Sequence, residues 1–114
     1  VRSKGARVLS QEELEASGQP MVTKVLELLD DWVLKPRPVF LSIDIDGFSS
    51  AVAPGCSQSW ATALSPAEFF PTLSVLCARL DVRSLGIYEV SPDLDHDNRT
   101  AKLAAQIIHR VVTA

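Results

Sequence analysis

The sequence predicts an α/β fold with a mostly parallel β-sheet. Val39 to Ile43 and Ser84 to Val90 are predicted strands, and the first, which is nearly all apolar, is expected to be buried on both faces, as in parallel sheets. A helical segment that opens at Ser65 separates them, and a strand–helix–strand unit normally returns parallel. The alternation of strands and helices along the chain indicates the same layered class.

The first part of the chain predicts a short strand and two helices. Ala6 to Leu9 is the predicted strand. Ser10 then opens a helix, because Ser10 and Glu13 have the spacing of a capping box. A second helix is predicted from Met21 to Leu34, since its apolar residues recur at helical spacing, and two prolines follow its end.

The second part of the chain predicts a long loop and two more helices. Gly47 to Leu64 shows no clear period, and a loop of that length in a compact domain is usually functional. The sequence Ser65-Pro66-Ala67-Glu68 is a second capping box with proline at the first helical position, and the helix is expected to run to about Leu80. After a polar, acidic loop, the last helix is predicted from Arg99 to Val112.

Composition and charge narrow the classes of partner. The 114 residues carry a formal net charge of -3 and no basic stripe, so no nucleic-acid partner is expected. No apolar run approaches the roughly 18 residues that would span a bilayer, so no membrane partner is expected. Cys56 and Cys77 form neither a CxxC nor a zinc spacing, and two free thiols in a reducing cytosol are the simplest interpretation. A cytoplasmic location is therefore predicted.

Three acidic residues follow the predicted strands. Asp44 and Asp46 come directly after the first buried strand, and Glu89 lies near the end of the next one. In parallel α/β sheets, ligands gather at the carboxyl ends of the strands, so the three carboxylates are expected at one edge. Unpaired carboxylates there would repel one another, and a cation would relieve that cost. Oxygen ligands suit Mg²⁺, Ca²⁺ or Mn²⁺ better than zinc.

Structural roles for the same side chains remain open. Asp44 and Asp46 could be helix caps or loop hydrogen-bond acceptors, and Glu89 could pair with a basic residue. The acidic segment from Asp93 to Asp97, which includes His96, is expected to be a solvated loop, with its aspartates mostly facing solvent. His109, in the last helix, is expected at the surface or between helices.

One resemblance predicts a phosphatase. A hydrophobic strand that ends in D-x-D-G resembles the nucleophile strand of haloacid-dehalogenase-type phosphatases. Phe48 stands here where a threonine or valine commonly follows the glycine, and no later pair of strand-end acids with a suitably placed lysine completes the pattern. A phosphatase-like D-x-D enzyme is therefore kept as a second alternative.

A second resemblance covers the chain from about Val39 to its C-terminus. The stretches LSIDIDGFSSAVAPG, LSPAEFF and GIYEVSPDLDHDNRTAKLAAQII resemble the metal motif, a helix start and the last strand, loop and helix of the ureohydrolase superfamily, which includes arginase, agmatinase and formimidoylglutamase. The segment DLDHDNRTAKLAA resembles formimidoylglutamases most. The resemblance implies the C-terminal part of a three-layer α/β/α, arginase-like fold.

The resemblance also implies a chemistry. Asp44 and Asp46 look like carboxylate ligands of a centre of two manganese ions, whose bridging hydroxide attacks the substrate. Glu89 looks like the acid that holds the guanidinium or amidinium group of the substrate. The implied reaction is hydrolysis of a linear C–N bond in a formimidoylglutamate-like, arginine-like or agmatine-like substrate. No catalytic residue is assigned beyond the metal ligands.

The remaining ligands of that family are absent from this sequence. They come from an earlier histidine-bearing strand end and a D-A-H-x-D motif, and neither exists here. Residues 1–114 are therefore predicted to be the C-terminal portion of a single ureohydrolase-like domain, with its N-terminal part as a partner and a homo-oligomer as the expected assembly. The isolated chain is predicted to be inactive. A non-catalytic homologue or fragment with a structural or interaction role is the first alternative.

Overall fold

The structure of the chain, a computed structural model, describes residues 2–114. Its elements, in chain order, are α1 (Gln11–Ser17), α2 (Met21–Leu28), α3 (Asp30–Leu34), β1 (Pro38–Asp44), α4 (Pro66–Arg79), β2 (Asp81–Tyr88) and α5 (Arg99–Val112). Short 3-10 helices span Arg2–Lys4, Ile45–Gly47 and Pro92–Leu94. Within the described residues, no helix is long and apolar enough to cross a bilayer.

The two strands form a parallel pair, which confirms the predicted orientation. Phe40 lies opposite Ser84 and Asp44 lies opposite Tyr88, so both strands end at the same edge of the sheet. Helix α4 is the crossover between them, and α4 and α5 both contact β2 and each other. This strand–helix–strand unit is the feature that brings the ends of β1 and β2 together.

Both predicted capping boxes are present. At α1, the amide of Glu13 donates to the Ser10 hydroxyl over 3.1 Å, and the Glu13 carboxylate accepts from the Ser10 amide over 2.8 Å. At α4, Ser65 and Glu68 make the same reciprocal pair, with both distances at 3.3 Å. These bonds satisfy amides at each helix start that have no partner inside the helix.

The predicted strand from Ala6 to Leu9 is wrong, because that segment has no regular structure. A side chain of this segment forms hydrogen bonds with the helices that follow. The Arg7 guanidinium donates to the Leu28 carbonyl over 2.7 Å and to the Asp31 carboxylate over 2.9 Å. A side chain therefore fixes this segment, and no ladder of backbone hydrogen bonds is needed.

The predicted helix from Met21 to Leu34 is interrupted at Leu29, which has φ -115° and ψ 18°. The Leu29 amide reaches the carbonyls of both Val25 and Leu26, so the helix tightens at this point. The Asp30 carboxylate then accepts the Asp31 amide over 2.7 Å. Aspartate competes in this way with the backbone for hydrogen bonds, which explains why one amphipathic pattern forms two helices.

The sequence predicted that strand β1 is buried on both faces, and this prediction is wrong. Val39 and Ile43 are buried, but Phe40 is 56% exposed, and Ser42 and Asp44 are also exposed. The strand alternates because the hydrophobic core lies on one face of the sheet only. Phe40 therefore lies on the other face of the sheet, which the described residues do not bury.

Strand β2 begins three residues earlier than predicted and ends at Tyr88 instead of Val90. Glu89 leaves the strand because its φ is 68°, a left-handed value that a ladder residue cannot adopt. The candidate acid therefore comes one residue after the strand, at the edge of the sheet.

The 47–64 loop supplies part of the core. Phe48 is 1% exposed and packs edge-to-face against Phe69 of α4, with ring centroids 4.8 Å apart. The ends of the loop are tied by the Ser49 amide, which donates to the Leu64 carbonyl over 3.0 Å. The buried core cluster comprises Ile43, Ile45, Phe48, Ala53, Cys56, Leu73, Leu103, Ala104 and Ile107.

Candidate functional site

The three predicted acids lie at one edge of the sheet. Asp44 is the last residue of β1, and Asp46 lies in the 3-10 turn Ile45–Gly47 that follows. Tyr88, the last residue of β2, pairs with Asp44, and Glu89 comes next along the chain. The parallel register therefore places the chain segments that carry Asp44, Asp46 and Glu89 beside one another.

A local hydrogen bond shapes the turn between the two aspartates. The Asp44 carboxylate accepts the Asp46 amide over 3.3 Å, while Ile45 is fully buried and anchors the turn in the core. Asp44 is exposed and Asp46 is half-buried. The backbone is thus extended only as far as Asp44, and a turn sets the direction of Asp46.

The electrostatics of Asp46 reflect its acidic neighbours. Its pKa is raised above the ordinary value of 3.8, first by partial burial, then by the charge and hydrogen bonding of Asp44, and further by the charge of Glu89. Among the described side chains of residues 3–114, the ion pairs include none with these three acids. Within that part of the chain, the site is therefore a concentration of negative charge without an ion-paired basic side chain to balance it.

The oxygen donors of this site suit a divalent cation, but the site does not supply a complete set of ligands. Carboxylate oxygens are the donors that Mn²⁺, Mg²⁺ and Ca²⁺ prefer, and a cation would lower the pKa of Asp46. No group of three or more His, Cys, Asp or Glu in the described part of the chain has the arrangement to hold a metal ion. His96 and His109 are exposed, on the loop before α5 and on α5 itself. Within the described residues, Asp44 and Asp46 thus supply oxygen donors but not a full set of metal ligands.

Glu89 has an unusual backbone conformation. Its φ of 68° is uncommon for a residue that is neither glycine nor asparagine, and such a conformation costs on the order of 1–3 kcal/mol. Strained residues of this kind concentrate at functional sites, where the surrounding structure holds them. No feature of the local sequence could have predicted this conformation.

The expectation that Asp93, Asp95 and Asp97 face solvent holds for two of them. Asp93 and Asp97 are exposed, but the Asp95 carboxylate accepts the amides of Thr100 and Ala101, each over 3.1 Å, at the start of α5. Partial burial acts to raise the pKa of Asp95, but hydrogen bonds from the Thr100 side chain and from backbone amides outweigh it and lower that pKa. Asp95 is thus a structural acceptor that satisfies the first turn of α5.

Sequence reasoning did not place Cys56 near the acids. The Cys56 thiol is buried and donates to the Ala53 carbonyl over 3.4 Å. Burial raises its pKa first, and the charges of Asp46 and Asp44 raise it further, so the thiol stays protonated. Cys77 is also a free cysteine, and burial raises its pKa.

Comparisons with known proteins show the family of the chain. Residues 1–113 match the arginase family. Formimidoylglutamase from Nocardia farcinica is 35% identical over 116 aligned residues, which cover 96% of this chain and 33% of that protein. The chain therefore spans about a third of the length of this relative.

Solved structures with the same fold extend the comparison. Arginase from Bacillus subtilis has a TM-score of 0.83 and 28% identity, over 99% of this chain and 39% of that one. Formiminoglutamase from Trypanosoma cruzi, solved with Mn²⁺, has a TM-score of 0.75 and 23% identity, over 97% of this chain and 36% of that one. At that identity, the second comparison shows the fold alone.

The parallel strand pair with its crossover helix and the match over nearly the whole chain lead to one assignment. The chain has the α/β architecture of a fragment of the arginase fold. It belongs to the arginase family, within the ureohydrolase superfamily and close to the formimidoylglutamases.

Proposed function

We propose that this chain is the C-terminal portion of a manganese-dependent hydrolase that cleaves a linear C–N bond in an amidine or guanidine substrate. The observation that carries the proposal is the gathering of Asp44, Asp46 and Glu89, without basic partners, at the carboxyl edge of the sheet in a chain of the arginase family. A formimidoylglutamate-like substrate is preferred over arginine-like and agmatine-like ones, because formimidoylglutamases are among the relatives of this chain, one of them at 35% identity.

Manganese as the metal is supported by two facts. The formiminoglutamase from Trypanosoma cruzi that shares this fold was solved with Mn²⁺. The oxygen donors of Asp44 and Asp46 suit a hard divalent ion, and in the proposal these two carboxylates hold it. Since two carboxylates are too few, the other ligands come from the part of the domain that this chain lacks, which spans about two thirds of the length of its relative.

Each acid has a distinct role in the proposal. When bound, the metal pair supplies a water of lowered pKa, and so a nucleophile at neutral pH. Asp44 and Asp46 would hold the metal at the end of β1, where the buried Ile45 anchors the turn between them. The exposed Glu89 carboxylate binds the planar cation of the substrate and orients its central carbon. The products are an amine or amino acid together with formamide or urea.

A non-catalytic member of the family is the second candidate. It is favoured by the absence, within residues 2–114, of a group of three or more side chains that could hold a metal. Such a protein would keep the fold for assembly with other chains. The match to the arginase family over residues 1–113 supports either of these two functions over a phosphatase.

The proposed cytoplasmic location is supported by the two free thiols.

The experiment that tests the proposal uses the whole protein that carries this sequence. Asp44→Asn and Asp46→Asn should lose most bound manganese and nearly all turnover, because a neutral amide is a poor replacement for an anionic ligand. Manganese is measured by elemental analysis, and formamide or urea release by product assay. Asp93→Asn, at an exposed acid of the neighbouring loop, is the control and should change neither.

Two results would contradict the proposal. If Asp44→Asn and Asp46→Asn kept both metal and rate, the assignment of these ligands would be wrong. If the unsubstituted protein bound manganese but hydrolysed no amidine or guanidine, the non-catalytic candidate would replace the enzyme.

A further inference from the structure

Gly55 connects the two segments that carry the candidate acids. It belongs to the 47–64 loop, which follows Asp44 and Asp46. Its carbonyl accepts the amide of Ser91 over 2.7 Å, and Ser91 lies two residues after Glu89. Its own amide donates to the Thr100 hydroxyl over 2.8 Å. One residue therefore bonds both to the segment after Glu89 and to the start of α5.

The contact at Gly55 is closed and fully satisfied. Thr100 is fully buried, and its backbone amide donates to the Asp95 carboxylate over 3.1 Å, as does the amide of Ala101. A Cβ atom at Gly55 would lie 2.8 Å from the Asp95 side chain and 2.9 Å from the Thr100 hydroxyl oxygen. Only glycine therefore allows the loop to come this close to Asp95 and Thr100.

We infer that Gly55, Ser91, Asp95 and Thr100 form a clamp that positions Glu89 relative to Asp44 and Asp46. The inference rests on the proposed function, since it assigns a purpose to the spacing of those acids. Glu89 directly follows the last residue of β2, and Ser91, which the Gly55 carbonyl holds, comes two residues later. The clamp thus restrains the segment in which Glu89 adopts its left-handed conformation. Thr100 is the positioning residue, because it touches Gly55 and Asp95 but none of the three acids is among its hydrogen-bond partners.

The physical consequence concerns substrate orientation. An acid that orients a planar cation acts through its distance to the reacting atoms, and a displacement of about 1 Å can cost roughly 100-fold in rate. Removal of the Thr100 hydroxyl leaves the buried Gly55 amide without its acceptor. The loop is then expected to shift, and with it Ser91 and Glu89, while Asp44 and Asp46 remain anchored by β1 and Ile45.

The test compares Thr100→Val with Thr100→Ser in the whole protein. Valine keeps the shape of threonine and removes the hydroxyl, whereas serine keeps the hydroxyl. Thr72→Val is the matched control, because Thr72 is equally buried but bonds only the Glu68 carbonyl within α4, over 2.9 Å. We expect Thr100→Val to raise KM for the amidine substrate and lower kcat/KM about 10-fold or more, with rates normalised to bound manganese. Thr100→Ser should restore both values.

A second readout does not depend on activity. Hydrogen exchange at the amides of Gly55 and Ser91 should accelerate in Thr100→Val, recover in Thr100→Ser, and stay unchanged in Thr72→Val. If Thr100→Val does not fold, Asp95→Asn serves instead, because an amide can accept at only one of its two terminal atoms and the clamp loosens.

The outcomes separate the clamp from the proposed function. A Thr100→Val protein with unchanged KM and unchanged exchange at Ser91 would overturn the clamp. So would a simple loss of folded protein at constant KM, which is what a merely structural role produces. If the unsubstituted protein showed no turnover with manganese bound, the proposed function would fail, and the exchange at Ser91 alone would decide whether the clamp exists.

Discussion

At the scale of single residues, Glu89 differs from the two aspartates in how it is held. Asp44 and Asp46 are fixed by a strand end and by a turn whose central residue is buried. Glu89 is exposed and stands in a left-handed backbone conformation between β2 and Ser91. This difference fits a division of roles in which the aspartates hold metal and Glu89 meets the substrate.

Glu89→Gln is accordingly expected to separate metal binding from substrate binding. The whole protein should retain its manganese, while kcat/KM falls roughly 10- to 100-fold, because a hydrogen bond to a charged group is worth about 1.5–3 kcal/mol. Both KM and kcat should worsen, since the lost partner acts on the substrate cation. Steady-state kinetics and elemental analysis check this, with Glu12→Gln at an exposed position of α1 as control. Loss of manganese in Glu89→Gln would show that Glu89 is a ligand instead.

Asp95 predicts a pH dependence of stability. Its pKa in the folded chain lies below the ordinary value of 3.8. The contribution of the Asp95 carboxylate to folding stability is therefore fully present above its ordinary pKa. It is lost as the pH falls through the lower pKa of the folded state. The thermal unfolding midpoint of Asp95→Asn should lie below that of the unsubstituted protein at about pH 7, and the gap should narrow toward about pH 3. A gap that widened with acidification would contradict the assigned direction.

At the scale of elements, α5 has a buried face and a face turned to solvent. Ile107 is fully buried against the core cluster, whereas its neighbour Ile108 is 47% exposed. Successive helical residues are about 100° apart around the axis, so adjacent isoleucines can face opposite surroundings. Helix α5 therefore depends on one face for its packing against the rest of the chain.

Ile107→Ala should lower the free energy of unfolding by about 2–5 kcal/mol, through lost burial and the cavity that remains. Ile108→Ala removes the same atoms from an exposed site and should cost much less. Denaturant titration of the two variants in the same protein measures the difference. Equal losses would mean that α5 packs through a different face from the one described.

At the scale of the whole molecule, the chain corresponds to only part of the length of its relatives. It spans about a third of the length of its relative, and one face of β1 exposes Phe40, Ser42 and Asp44. Phe40, near the start of β1, is 56% exposed, and Tyr88, which comes directly before Glu89, is 49% exposed. Further parts of an arginase-type domain are the proposed cover for this face.

The 114-residue chain alone is therefore expected to bind Mn²⁺ weakly and to hydrolyse no amidine or guanidine. Two carboxylates cannot hold two divalent ions that require several ligands each. Titration with Mn²⁺ followed by calorimetry, alongside assays of formamide and urea release, measures both properties. Stoichiometric binding of two Mn²⁺ with turnover would show that the described chain already contains a complete site.

The sequence by itself determined the features that depend on local patterns. Capping residues at Ser10 and Ser65 predicted two helix starts, and helical spacing predicted α5 from Arg99 to Val112, because these signals act within a few residues. The order of strand, helix and strand predicted the parallel pairing and the shared edge for Asp44, Asp46 and Glu89.

Only the tertiary structure decided the features that depend on distant partners. Phe40 is exposed because the core lies on one face of the sheet, which a continuous apolar sequence does not reveal. Ala6 to Leu9 forms no strand because Arg7 bonds to Leu28 and Asp31 instead. Asp95 looked like one acid among three in a polar loop, yet its carboxylate accepts the backbone amides of Thr100 and Ala101 at the start of α5. Gly55 and Thr100 are 45 residues apart, so only folding could bring them together.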